Sequence, residues 1–544
     1  MGSGHARAGL SIAALALALR LAPVRFGFPL LLKPDENRMV EVAYAMGDAR
    51  FCHWFLVYPH FTFIVQWVLF MAVFAAGWTF GIFPNFKAFR VWRHARPHVL
   101  HLVSRLPVVA AGALTAPVTQ GLATRLFGAN EGLLAALLIA VCPMHVKESM
   151  YFAVDVPMVL FALATLWLAV AFVERERPAL LWAAGACGGL AAGTKYPAAV
   201  LAVPLTLAWA MARRRVAFRH LVGCGAVMIV VFFACTPIAV VHPGMLVDEI
   251  RILSARLGTP HGGIALGPGW LYHLTVSLPE GFTLPLALAG LAGLLKFGLK
   301  GPSALLTAFA VAAFATFARS QTVFQRYSLP LAPIWCVFAA RACLAAHGAL
   351  AARHGRTGRA LGLALIAAVV AAPAARSLAY VEFLMRPDTR TVARAWVEQH
   401  VPPDTRIAMI GTAWVDIQLE KELDQDDTYR PERPPYLRLG RELGLTRWLP
   451  SPTYRVIAAA SLADARAKGC AYAVLADFPR HPEMRLPDPV MAQAAAAPPL
   501  WALDPVRPDA GVEPHYDEQD AWLVPTSGFA ALTQPGPRVR LWKL

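Results

Sequence analysis

DVPMVLFALATLWLAVAFVERER, residues 155–177, is the stretch that decides the fold. Positions 156–173 pass without a single charge, preceded by the lone acid Asp155 and followed by Glu174, Arg175, Glu176 and Arg177. A helix of that length rises about 27 Å, close to the ~30 Å of hydrocarbon in a bilayer. Comparable apolar runs stand at 10–32, 59–83, 99–122, 132–150, 180–194, 196–212, 219–241, 270–295, 302–318, 329–346 and 358–378. Repeated spans of this kind describe a chain folded mainly within a membrane.

Composition agrees. Of 544 residues 57% are hydrophobic and 15% charged, against about 25% charged in soluble domains. That excludes disorder, a water-soluble enzyme and a small disulfide scaffold. The net charge of +16 would suggest nucleic acid in a soluble chain. Here the cations sit in short loops between apolar runs, where orientation in a bilayer explains them, so no nucleic-acid partner is expected. The eight cysteines form no CxxC pair and read as small buried hydrophobes.

The loops holding Arg213–Arg215 and Arg219, Lys296 and Lys300, and Arg353, Arg356 and Arg359 should face the cytoplasm. Asp155 and Lys195 then face outward. For Asp35 to share that outer side, the run 59–83 must lie along the interface or dip in and return, which leaves about eleven crossings. The expected architecture is an α-helical polytopic membrane protein with juxtamembrane helices and a C-terminal soluble α/β domain. The membrane domain covers 1–385, with 33–98 as its first outer loop, and the soluble domain covers 386–544. Within the latter, Thr389–His400 reads as a helix stopped by Pro402 and Pro403. Arg406–Ile410, 454–458, 471–475 and 539–542 read as strands, Ser461 as a helix cap and 424–435 as a loop. No internal repeat is evident.

Ionisable groups at membrane depth are costly, so each is a functional candidate. Asp35 and Glu36 follow the first run directly, where Pro34 should open a helix to about Met46. Two carboxylates there also suit the helix dipole as a plain cap. Asp155 precedes Pro157 and has the same two readings. Lys195 and Tyr196, in a short break between two brief spans, and Arg326 with Tyr327 could meet a phosphate or fix helix depth by snorkelling. Arg105 is a weaker candidate of the same kind. His60, beside Tyr58 and Pro59, reads as a base or ligand, or as a hydrogen-bonded interface residue. Adjacent acids without His or Cys suit Mg²⁺ or Mn²⁺, or no metal at all. No phosphate loop, dinucleotide fingerprint, HExxH or GxSxG motif occurs. Any transfer chemistry must therefore draw on a donor already activated in the membrane.

Several of these residues, in order, resemble a known family. Asp35-Glu36, Tyr58-Pro59, Arg105-Leu106-Pro107, Arg125-Leu126-Phe127-Gly128, Asp155-Val156-Pro157, Thr194-Lys195-Tyr196 and Arg326-Tyr327-Ser328-Leu329-Pro330 are similar to the GT-C class of membrane glycosyltransferases. The members most like this chain are the protein O-mannosyltransferases and the lipid A aminoarabinose transferases. The resemblance spans about 10–420. It implies an inverting transfer from a polyprenyl-phosphate sugar to a hydroxyl acceptor on protein, lipid or envelope glycan. It also implies that Asp35, Glu36 and Asp155 supply the catalytic or metal-binding carboxylates. Lys195, Tyr196, Arg326, Arg105 and His60 are then expected around the donor phosphate or acceptor, and the tail domain is expected to carry acceptor specificity. The Ala-, Arg- and Pro-rich composition suggests a bacterial inner membrane with a periplasmic site. The competing reading is a multi-span transporter or lipid flippase with a periplasmic binding domain, which would call for inverted repeats and midplane charges.

Overall fold

The computed structural model describes residues 3–47, 55–422, 425, 433–481, 484–520 and 523–544. The chain forms two compact units. The first gathers Met1–Val24, Arg38–Trp67 and Ser104–Val381, and the second gathers Arg25–Asn37, Val68–Val103 and Glu382–Leu544.

In chain order the helices that matter for the site are α1 (Ser3–Leu21), α2 (Pro34–Ala45), α3 (Phe61–Thr79), α4 (Phe86–Ala95) and α5 (Pro97–Phe127). They continue with α6 (Ala129–Ala140), α7 (Pro143–Glu148), α8 (Asp155–Arg175) and α9 (Pro178–Ala192). Among the described residues five helices are long and apolar enough to cross a membrane: α3, α5, α8, Gly301–Ala318 and Gln325–His400. A sixth arises if Gly269–Phe282 and Leu284–Phe297, bent by 116°, form one span. Ala129–Ala140, Pro178–Ala192, Tyr196–Ala212 and Arg219–Cys235 are apolar but shorter.

Two expectations from hydropathy are corrected. The first run, 10–32, is helical only to Leu21. Turns follow, and Leu30, Leu31 and Leu32 are buried without being helical. The run 132–150 is broken between α6 and α7 at Val141 and Cys142, where Pro143 starts the second piece. The run 99–122 lies inside one longer helix, α5, which begins at Pro97, continues to Phe127 and carries Pro107 and Pro117 within it. Hydropathy reports burial in an apolar setting, and a buried turn has the same signature as a helix. The run 59–83 forms one uninterrupted helix, α3, whose 19 residues meet the length needed to cross. The long helix Ala332–Met385 is two helices in substance, since His354 and Gly355 have non-helical dihedrals.

In the first unit α9 lies against Arg219–Cys235 through glycine. A Cβ on Gly185 would stand 2.6 Å from the Cys224 carbonyl oxygen, and one on Gly189 2.6 Å from that of Met228. Small residues one turn apart let two backbones approach in lipid, where burial gives little drive of its own.

The second unit holds a five-stranded sheet of order β2-β1-β3-β5-β4, from β1 (Arg406–Ile410), β2 (Arg455–Ala458), β3 (Tyr472–Asp477), β4 (Trp501–Leu503) and β5 (Arg538–Lys543). β1 runs parallel to β2 and β3, while β5 pairs antiparallel with β3 and β4. Helix Thr389–His400 packs Ala393 and Val397 with Ile407, Val474 and Leu541 in a core on one face. Ser461 caps its short helix by accepting from the Asp464 N–H. Of the loop expected at 424–435, residues 424 and 426–432 lie outside the described residues, and Arg433 already begins helix Arg433–Glu442. β4 and helix Asp488–Ala496 lacked a readable sequence pattern.

Candidate functional site

Pro34, with its φ already fixed for a helix, opens α2, so Asp35 and Glu36 fall in the first turn, where N–H groups lack helical partners. Asp35 is exposed and Glu36 is buried. The segment before them is buried and non-helical, so its backbone polar groups need partners from elsewhere. Leu31 finds them in one side chain: its N–H donates to Gln418 Oε1 at 3.1 Å, and its carbonyl accepts from Gln418 Nε2 at 3.1 Å. Asn37 Nδ2 adds a second donor to that carbonyl at 3.2 Å, which turns Asn37 Oδ1 toward His101 Nε2, 3.0 Å away. Lys33 Nζ lies 3.0 Å from Asp520 Oδ2. All of these residues belong to the second unit.

The other candidates belong to the first unit. Asp155 is the first residue of α8, and its Oδ1 lies 2.6 Å from Lys195 Nζ. Both side chains are largely withdrawn from solvent, at 6% and 12% exposure. Lys195 Nζ also stands 5.3 Å from the centre of the Tyr327 ring. The lysine is therefore already engaged by an anion and an aromatic face, which the sequence, reading it as a cation for phosphate, did not indicate. Tyr196 donates its hydroxyl to the Leu56 carbonyl at 2.8 Å, and the Phe61 N–H donates to the Gly193 carbonyl at 3.1 Å. Together these bonds hold the 55–61 stretch against the break that carries Lys195.

His60 is buried and its Nε2 lies 2.7 Å from the Phe55 carbonyl oxygen, so Nε2 carries the proton. Burial lowers its pKa below the usual imidazole value, and the bond to Phe55 opposes that in part. A neutral His60 does not act as a cation toward phosphate. Arg105, buried within α5, donates Nη1 to the Val24 carbonyl at 2.7 Å. Arg326 is half-buried, with its guanidinium 4.5 Å from the centre of the Phe324 ring.

One buried cation escaped the sequence reading. Arg20 has no exposed surface and donates to the Ala16 and Ala140 carbonyls through Nη1 and to the Ile139 carbonyl through Nη2. Its Nε reaches Ser149 Oγ, and its Nη2 lies 2.9 Å from His145 Nδ1. All five guanidinium hydrogens are thus used, and they join α1 to the exposed-carbonyl end of α6 and to α7. A charge within the 10–32 run was the available signal. Among the described residues no three His, Cys, Asp or Glu side chains gather as a metal site, so the arrangement adds nothing for a divalent ion on Asp35, Glu36 and Asp155.

Residues 98–240 match the family model described as dolichyl-phosphate-mannose-protein mannosyltransferase. No curated protein is similar enough in sequence to match the chain. Among solved structures, ArnT from Cupriavidus metallidurans bound to undecaprenyl phosphate has a TM-score of 0.50 at 16% identity, covering 99% of this chain and 98% of that one. The archaeal oligosaccharyltransferase AglB from Archaeoglobus fulgidus, in complex with an inhibitory peptide and a dolichol-phosphate, has a TM-score of 0.51 at 13% identity, covering 87% of this chain and 69% of that one. At these identities the likenesses rest on architecture: the chain shares its fold with these two structures.

Proposed function

We propose that this protein transfers a sugar from a polyprenyl-phosphate donor to a hydroxyl acceptor, inverting the anomeric carbon, at the outer face of a bacterial inner membrane. The observation that carries the reading is the end-to-end likeness to a structure that holds undecaprenyl phosphate. Asp35 stands at a solvent-exposed position beside the buried Glu36, which supports giving it the role of base. Asp35 accepts the proton of the acceptor hydroxyl as that oxygen attacks the anomeric carbon, help worth about 10²–10⁴-fold. The bond from that carbon to the lipid phosphate breaks, and the phosphate leaves with the electron pair. In this proposal Glu36 and Asp155 orient the acceptor. Lys195, paired with Asp155, lends positive charge toward the departing phosphate together with Arg326 and Arg105.

The test is Asp35→Asn, assayed for transfer from a labelled polyprenyl-phosphate sugar to membrane acceptors. Expression and folding should stay near normal while transfer is lost; unchanged turnover removes Asp35 from the mechanism. The sharp break between Gly269–Phe282 and Leu284–Phe297 is a feature transporters also use. Uptake of a labelled solute by proteoliposomes, without sugar transfer, would favour that second reading.

A further inference from the structure

The acid pair is carried by a segment that the C-terminal part of the chain grips through a strained residue. Gln418 has φ of 51°, in the left-handed region that non-glycine residues rarely occupy. It is held there from both sides: its N–H donates to Asp416 Oδ1 at 2.9 Å, and its carbonyl accepts from Arg394 Nη1 at 2.7 Å. Held this way, its side-chain amide makes the two-bond pairing with Leu31 that a neighbouring strand would otherwise make. Two residues on, Lys33 is bonded to Asp520. Pro34 follows with a fixed φ, and Asp35 comes next. Strain of this kind persists where surroundings over-determine it, which recurs at functional sites.

We propose that Gln418 is a positioning residue for Asp35 and Glu36: its amide fixes Leu31, and through the stiff Lys33-Pro34 link it sets where the two carboxylates stand. This rests on the proposed role of Asp35. Gln418 touches no substrate.

The strain supplies a clean test. Gln418→Gly removes the amide and also the backbone penalty, since glycine is at ease at that φ. Gln418→Asn tolerates the same backbone but is one methylene too short to reach both Leu31 groups. Each variant is purified as the full chain beside Asp35→Asn. Thermal unfolding is expected to be unchanged or raised in Gln418→Gly. Hydrogen exchange in the peptide containing Leu31 should accelerate in both Gln418 variants. With undecaprenyl-phosphate mannose as the donor probe, kcat should fall roughly tenfold or more, because small misplacements of reacting groups are costly. The donor KM should stay within about twofold. Unaltered exchange at Leu31, or normal kcat in Gln418→Gly while Asp35→Asn is inactive, overturns the inference. An active Asp35→Asn refutes the proposed base instead, and the exchange measurement then still decides whether Gln418 grips Leu31.

Discussion

Asp155 and Lys195 were each conspicuous in the sequence, one as a lone acid before a proline, the other as a lone cation in a break between apolar runs. Their pairing across 40 positions of chain was not legible, because it depends on how α8 and α9 are brought together. Removing one member of a buried pair strands the other, whereas removing both does not. Asp155→Asn and Lys195→Met should each lower the melting temperature in detergent, and the double variant should lose less than the sum. The cycle is expected to return a coupling of roughly 1–3 kcal/mol. Additive losses would mean that the two charges do not support each other. Arg20 teaches the complementary lesson: its charge was visible within the first run, yet its five partners come from three stretches of chain, at Ala16, Ile139–Ala140 and His145–Ser149.

Elements with their own punctuation were read well. Helix Thr389–His400 and strand β1 have the bounds the sequence suggested, because Pro402 and Pro403 stop the one and apolar β-formers mark the other. Helix α2 likewise starts at Pro34. Elements without punctuation were not: β4 has three residues, and its place at the sheet edge is set by pairing with β5. The contact of α9 with Arg219–Cys235 shows a further kind of information, carried by what is missing from a side chain. Gly189→Leu must force the two helices apart, an overpacking cost of about 1–3 kcal/mol. Gly225, on the partner helix, has nothing within 4 Å of where its Cβ would be. Gly225→Leu should therefore melt like the parent protein while Gly189→Leu melts earlier; equal behaviour would disprove the close contact.

For the molecule as a whole, the second unit is assembled from three separated stretches of sequence, which no local pattern could disclose. Arg433 Nε donates to the His94 carbonyl at 2.7 Å, and the Tyr436 ring stacks on His94 with centroids 4.3 Å apart. Gln418 and Asp520 reach back to Leu31 and Lys33. Residues 386–544 expressed alone lose all of these partners, so the isolated piece should be cut by trypsin much faster than the same region in the full chain. Equal resistance would mean that the early segments are dispensable to it. A different opportunity comes from His354 and Gly355, where the longest helix is interrupted and residues 352–357 are exposed. A backbone already turned out of helical register at an exposed site tolerates added sequence. A compact soluble partner grafted there, with both its ends close together, would give this chain the extra bulk that single-particle imaging needs for alignment.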